Sequence, residues 1–157
     1  MMENLSTPIP GPQPQVSIII AVDTAFATAQ STMGMSGGIY MMDNMAAYGS
    51  TGEGQTVLNS VVPLGTFVGF QVVPIDPLRG DTVVITELVT SAGNVFGPDG
   101  GPVQVPSVGG QPEGSYWIGR TFNPGTQVYQ IQIQVTVGQG WQNVYFGQWA
   151  AIITATL

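Results

Sequence analysis

The clearest pattern in the chain is a strict alternation of apolar and polar residues over positions 127–137. The apolar positions are Tyr129, Ile131, Ile133, Val135 and Val137, and the residues between them are Gln130, Gln132, Gln134 and Thr136. A period of two predicts a β-strand with one buried face. The opposite face of that strand would carry a ladder of glutamine amides.

Other apolar runs predict further strands. Residues 16–22 (VSIIIAV) are nearly all β-branched or apolar, which is typical of a strand buried on both faces. We also predict strands at 39–42, 56–62, 66–73, 82–89, 115–118 and 144–157. The alanine-rich stretch 25–30 is expected to form one or two helical turns, and the Gly- and Pro-rich stretch 97–114 a long loop.

Short strands separated by turn residues, without a long helix, predict an all-β fold. We expect a single-domain antiparallel β-sandwich, jelly-roll-like, over residues 16–157, preceded by a proline-rich arm at residues 1–15. The arm contains the alternating prolines Pro8, Pro10, Pro12 and Pro14. Such alternation favours extended polyproline II and prevents helix formation. Two interpretations remain open, a flexible leader and an arm that docks on a neighbouring subunit.

The charge content narrows the functional classes. The chain has 157 residues, with nine acidic and two basic side chains, a net charge of −7 and no histidine or cysteine. These absences remove histidine-based acid–base chemistry, thiolate nucleophiles and zinc ribbons, so we expect no enzyme activity and no cofactor. Arg79 and Arg120 are too few to neutralise a nucleic-acid backbone.

The apolar runs also bear on cellular location. The longest one near the N-terminus, residues 18–22, is far shorter than the roughly 20 residues needed to span a bilayer. No secretory signal pattern precedes it. We therefore expect a cytoplasmic protein without a membrane span, and leave export without a classical signal as an alternative.

Two groups of side chains are candidate ligand sites. Asp76, Asp81, Asp99 and Glu113 lie in predicted loops, where carboxylates are possible Ca²⁺ ligands. Since they follow no EF-hand pattern, we expect solvated carboxylates and no metal site. Trp117 and Trp141, with the neighbouring Asn143, have the chemistry of a sugar-stacking platform. The alternative for these aromatics is packing in the core.

The methionines cluster along one part of the chain. Met33, Met35, Met41, Met42 and Met45 all fall within thirteen positions. Methionine is flexible and polarisable, so the cluster suits an adaptable apolar contact surface. It equally suits gap-filling in a core, and both interpretations remain open.

Four stretches read in order resemble the bacterial PixA/AidA inclusion-body protein family. They are IIIAVDT at 18–24; YMM at 40–42 with the Gly-rich 49–54; PLGTFVGF at 63–70 with DTVVI at 81–85; and 128–137 with FGQW at 146–149. The resemblance implies a β-sandwich that accumulates in the cytoplasm, at times as crystalline inclusions. It implies no catalytic residue, and it leaves a sugar-binding role open.

Low charge and this resemblance together favour self-assembly. Soluble proteins usually separate their surfaces with mixed charges and protect strand edges with lysine or proline. The strand at 127–137 has neither, so its face at Gln130, Gln132 and Gln134 is predicted to pair or stack with a second copy. The main hypothesis is a non-enzymatic structural protein that forms an intracellular inclusion, crystal or filament. The alternatives are a lectin-like module and an extracellular filament subunit.

Overall fold

The computed structural model describes residues 14–30, 37–138 and 143–157. These residues form nine strands and one short α-helix, with 3-10 turns at Ala46–Tyr48 and Pro77–Arg79. The strands and helix are β1 Val16–Val22, α1 Thr24–Gln30, β2 Ile39–Asp43, β3 Asn59–Pro63, β4 Phe67–Pro74, β5 Thr82–Thr90, β6 Val103–Gln104, β7 Tyr116–Arg120, β8 Gly125–Thr136 and β9 Val144–Thr156.

The strands form two sheets, which confirms the predicted all-β sandwich. The five-stranded sheet has the order β2-β1-β4-β7-β6, and the four-stranded sheet has the order β3-β9-β8-β5. The purely antiparallel arrangement was wrong, because β1 pairs with β4 and β3 pairs with β9 in parallel. Both parallel pairs join strands that are distant in sequence, so long connections bring them into the same direction.

One hydrophobic core fills the space between the sheets. The predicted alternation in β8 is confirmed, since Tyr129, Ile131, Ile133 and Val135 are all fully buried. The ring of Phe70 meets that of Tyr129 edge to face, with centroids 5.5 Å apart. In β1 the inward residues are buried and those between them are half-buried, so its outer face is only partly covered.

The long loop between β5 and β7 contributes to the core, which the sequence did not indicate. Phe96 is fully buried and its ring centroid lies 6.5 Å from that of Phe70. The buried Gln127 side chain accepts a hydrogen bond from the Phe96 N–H (3.1 Å) and donates one to the Gly93 carbonyl (3.2 Å). This amide therefore fixes the loop against β8. The loop also holds β6, a strand that was not predicted.

The helix α1 confirms the predicted helical turns. Asp23 precedes it, and its Oδ1 accepts a hydrogen bond from the Phe26 N–H at 3.2 Å. Side-chain acceptors of this kind satisfy the free N–H groups at a helix start. The helix is short and leads to residues 31–36, which lie outside the described residues.

Candidate assembly face

The outer surface of the four-stranded sheet combines the predicted glutamine ladder with its cross-strand neighbours. Register pairs Gln130 with Ala150, Gln132 with Gln148, and Gln134 with Phe146. On the other side of β8, Val89, Glu87 and Val84 oppose the same three glutamines. We call these nine positions the glutamine face.

Hydrogen bonds across the strands order this surface. The Gln148 amide donates to the Gln130 carbonyl oxygen at 3.1 Å, and the Thr126 and Thr154 hydroxyls lie 3.0 Å apart on the same side of the sheet. A glutamine amide carries two donor hydrogens and an acceptor oxygen. One cross-strand bond therefore leaves capacity for hydrogen bonds to a second surface.

The glutamine face is almost free of charge. Glu87 is the one charged residue in β3, β5, β8 and β9, and it lies in an edge strand, at the register shift that follows Ile85. Apolar side chains flank the amides, with Val89 46% and Phe146 48% exposed. The surface therefore offers neutral amides between exposed apolar groups, with one negative charge at its margin.

The strand edges are better protected than the composition suggested. β8 lies between β5 and β9, so its backbone is paired on both sides and cannot add a strand from another copy. The register shift interrupts the edge strand β5, and β3 ends at Pro63 and donates its Val61 N–H to Ser50 Oγ at 2.9 Å. Bulges, proline and short strands protect edges in this way. The strand at 127–137 is therefore not a free sheet edge, and the predicted contact of its glutamine side chains would be made through the outer face of the sheet.

Comparison with known proteins places the chain in a family. The sequence profile of a domain of unknown function, DUF8788, matches residues 14–142. The chain belongs to the DUF8788 family. No curated protein matches it in sequence.

The fold of this DUF8788 member is similar to that of a solved structure. The crystal structure of the inclusion body protein PixA from Burkholderia cenocepacia J2315 matches with a TM-score of 0.69 at 15% sequence identity. The match covers 96% of this chain and 100% of that chain. The resemblance to the PixA/AidA family is thus confirmed as a likeness of fold.

The described end of the predicted arm lies on the other side of the sandwich. Pro14 packs over Gly69 on the outer face of the five-stranded sheet, and the Gln15 N–H donates to the Phe67 carbonyl at 3.1 Å. Pro8, Pro10 and Pro12 lie outside the described residues. The arm therefore enters the sandwich on the face opposite the glutamine face, and its role in assembly stays a prediction.

The methionine cluster divides between the two interpretations. Met41 is fully buried in the core, where its sulfur accepts a hydrogen bond from the Trp149 indole N–H at 3.2 Å. Met42 is exposed on the outer face of the five-stranded sheet. Met33 and Met35 lie outside the described residues. Met41 and Met42, which are neighbours on β2, therefore lie on opposite faces of the sheet.

Of the predicted sugar-stacking residues, the structure describes Trp117, in the five-stranded sheet, and Asn143, next to the four-stranded sheet. Trp117, in β7, packs partly against the core, and its indole N–H donates to the Gly114 carbonyl at 3.0 Å. Asn143 is exposed just before β9, where its carbonyl accepts from the Val137 N–H at 2.9 Å. Trp141 lies outside the described residues. The geometry of Trp117 is that of a packing residue with a satisfied polar atom.

The loop carboxylates occupy separate places. Asp76 caps the turn at Pro77–Arg79 by accepting from the Leu78 N–H, and Glu113 accepts from the Ser107 hydroxyl. Asp99 lines a groove beside β7. Within the described ranges no group of three or more His, Cys, Asp or Glu side chains is arranged to hold a metal ion.

Asp81 is buried, contrary to the expectation of a solvated carboxylate. It is 5% exposed and accepts hydrogen bonds from the Thr24 hydroxyl (2.6 Å), the Gly138 N–H (2.7 Å) and Arg79 Nε (2.9 Å). Burial by itself raises the pKa of Asp81, but these hydrogen bonds outweigh it and lower the pKa below its ordinary value. Asp81 thereby ties together α1, the start of β5 and the turn after β8.

The sequence did not indicate that Asp43 and Glu53 form a pair of neighbouring carboxylates. Glu53 Oε1 accepts from the Asp43 N–H (2.8 Å), while the Asp43 carboxylate accepts from the Ser60 hydroxyl (2.7 Å) and the Met45 N–H (2.9 Å). Burial and the neighbouring Asp43 carboxylate raise the pKa of Glu53. The pKa of Asp43 is raised by burial but lowered overall by its hydrogen bonds. Ten positions separate the two residues, so no local motif marked them.

None of the helices in the described residues is long and apolar enough to cross a membrane.

Proposed function

We propose that the chain is a non-enzymatic structural protein that self-assembles into an ordered intracellular inclusion, crystal or filament. Its contact would be the glutamine face, stacked against a second copy. The observation that carries this proposal is the outward ladder of Gln130, Gln132 and Gln134 on a sheet whose four strands contain a single charge. The proposed site of accumulation is the cytoplasm.

Desolvation supports stacking of this face. Burying a neutral amide that finds a hydrogen-bond partner costs far less than burying a charged group. The amides of Gln130, Gln132 and Gln134 retain donors and acceptors for a partner surface, while Val89 and Phe146 add apolar area. Two such faces would therefore meet with little charge to desolvate.

The comparisons add support of a more general kind. The solved structure with a similar fold carries the name of an inclusion body protein, and the similarity spans nearly the whole chain. At 15% identity this likeness speaks for the fold, so the assembly itself rests on the surface chemistry. Experiments on that surface therefore decide the proposal.

The direct test replaces the ladder with charge. In one triple variant Gln130, Gln132 and Gln134 become lysine, and in a matched control Gln55, Gln104 and Gln111, which lie off this sheet, become lysine. Both variants gain three positive charges, so they share one net charge. We expect the ladder variant to stay dispersed while the control assembles like the wild type, as seen by light scattering across a dilution series and by negative-stain electron microscopy. Equal assembly of both variants would contradict the proposed contact.

Two alternative functions stay predictions. A lectin-like module using Trp117, Trp141 and Asn143 requires saturable sugar binding that is lost in Trp141→Ala, measurable on a glycan array. An extracellular filament subunit requires export, measurable by fractionating cells from medium. Because the Trp117 indole N–H is already bonded to the Gly114 carbonyl, the lectin-like alternative has less support than self-assembly through the glutamine face.

A further inference from the structure

A groove of about 330 Å³ lies on the outer face of the five-stranded sheet, between β7 and the loop that carries β6. Its walls are largely apolar and aromatic, formed by Phe67, Val103, Val105, Ile118 and Phe122, with Asp99 and Arg120 as its charged side chains. The close approach of loop and strand depends on Gly100, where an added Cβ would lie 2.3 Å from the Arg120 carbonyl oxygen. The groove is thus built by a tight backbone contact.

The charged centre of the groove is Arg120. Its guanidinium lies 5.0 Å from the ring centroids of both Phe67 and Phe122, within the range of cation–π attraction. Arg120 makes no salt bridge within the described part of the chain. Its N–H donors are therefore suited to carbonyl oxygens of a ligand lying between the rings.

The chain enters the sandwich beside this groove. Pro14 lies over Gly69 so closely that a Cβ there would be 3.1 Å from the Pro14 ring and 3.1 Å from Tyr116 Oη. Gly69 pairs in register with Ile118, a wall of the groove. Pro14, just before β1 in the chain, therefore lies over the neighbouring strand β4, on the side of β1 where the groove is.

We propose that residues 8–13 of the same chain occupy this groove. Their sequence, PIPGPQ, contains no charge and favours polyproline II, whose backbone carbonyls make no internal hydrogen bonds. Aromatic-lined grooves bind such segments. At about 3.1 Å per residue, six residues in polyproline II reach about 19 Å. Gly69 and Val103 are two strand spacings apart, which is about half of that length, so the segment is long enough to reach the groove.

The covalent link between the segment and β1 favours docking of the chain's own arm over that of a second copy. A short flexible tether gives its end an effective concentration of about a millimolar, above that of free copies in dilute solution. The docked arm would cover the apolar outer face of the five-stranded sheet. This proposal is independent of self-assembly, which was assigned to the opposite face.

Engineered cysteine pairs test the proposal cleanly because the chain has no cysteine of its own. The test variant is Gly11→Cys with Val103→Cys, and the matched control is Gly11→Cys with Met42→Cys, exposed on the same face but two strands from β4 in the other direction. At low protein concentration we expect the intrachain disulfide of the test pair to form about tenfold faster than that of the control. Non-reducing gels and peptide mass spectrometry measure it.

Two results would overturn the proposal. Equal rates for the two pairs would mean that the arm does not select the groove. Predominant interchain disulfides in the dilute sample would mean that neighbouring copies exchange arms. Phe122→Ala in the test variant removes an exposed aromatic wall without touching the core, and it should reduce the rate to that of the control.

Discussion

Replacing Asp81 with asparagine should destabilise the fold although it preserves the shape of the side chain. Both carboxylate oxygens are occupied, Oδ1 by the Gly138 N–H and Oδ2 by the Thr24 hydroxyl and Arg79. Asparagine offers a single oxygen, so its NH₂ group must face a donor on one side. Because neither the Gly138 N–H nor Arg79 Nε can accept a hydrogen bond, one of these two contacts is then lost, and the contacts that remain are to a neutral group.

The size of the effect follows from these contacts. A hydrogen bond to a charged group contributes about 1.5–3 kcal/mol, whereas the ion pair with the solvent-exposed Arg79 adds little because water screens it. We therefore expect Asp81→Asn to lower the free energy of unfolding by about 2–3 kcal/mol. For a chain of this size that corresponds to a fall in melting temperature of about 5–10 °C.

The loss should depend on pH in a defined direction. The folded-state pKa of Asp81 is lowered, so its stabilisation is complete above the unfolded pKa, near 3.8, and disappears as pH falls through the folded value. Urea unfolding of wild type and Asp81→Asn at pH 7, and in steps down to pH 3, measures this. The control is Asp76→Asn, because asparagine caps a turn as well as aspartate does.

Either of two results would refute this reasoning. One is a loss below about 1 kcal/mol at pH 7, which is less than a charge-assisted hydrogen bond contributes. The other is a difference between wild type and Asp81→Asn that does not shrink below pH 4.

Three other substitutions test the Asp43–Glu53 pair, the burial of Phe96 and the packing of Trp117. Glu53→Gln keeps an acceptor for the Asp43 N–H and adds a permanent donor for its carboxylate, so it should stabilise by about 0.5 kcal/mol at pH 7 after solvent screening. The raised pKa of Glu53 makes this gain vanish at a pH low enough to protonate Glu53, and a gain that persists there would contradict the assignment. Phe96→Ala should cost about 3–5 kcal/mol in urea unfolding, against less than about 1 kcal/mol for the half-exposed Phe146→Ala; equal losses would refute the core role of the loop. Trp117→Phe removes the bond to Gly114 and should cost about 1 kcal/mol without altering assembly, so altered assembly would assign Trp117 to a contact.

The strands and the helix could be predicted because each depends on a pattern of residues within a single segment of the chain. The alternation over 127–137 identified β8 and its buried face, and the alanine-rich stretch identified α1. Pairing partners depend on contacts between distant segments, which explains why the parallel pairs β1–β4 and β3–β9 were missed. The same holds for the neighbours of β8, whose interior place in the sheet no local pattern indicated.

Candidate sites were harder to predict than elements. The glutamine ladder followed from periodicity alone, and its outward orientation is what the structure shows. Phe96 lies in a Gly- and Pro-rich loop, and nothing in its neighbourhood indicates that Gln127 and Phe70 will hold it in the core. Asp81 looked like a turn carboxylate because its donors Thr24 and Gly138 are each 57 positions away.

The two outer faces of the sandwich suit different partners. The glutamine face presents neutral amides on two adjacent strands, Gln130, Gln132 and Gln134 on β8 and Gln148 on β9, so identical surfaces are able to match amide to amide. The face crossed by Pro14 instead has an irregular groove around Arg120, with aromatic walls suited to a proline-rich segment. Because an arm docked in that groove covers one face and not the other, assembly through the glutamine face would leave the groove undisturbed. The lysine triple variant and the Gly11–Val103 cysteine pair should therefore act independently, and an effect of the lysines on the cross-linking rate would show that the two faces are coupled.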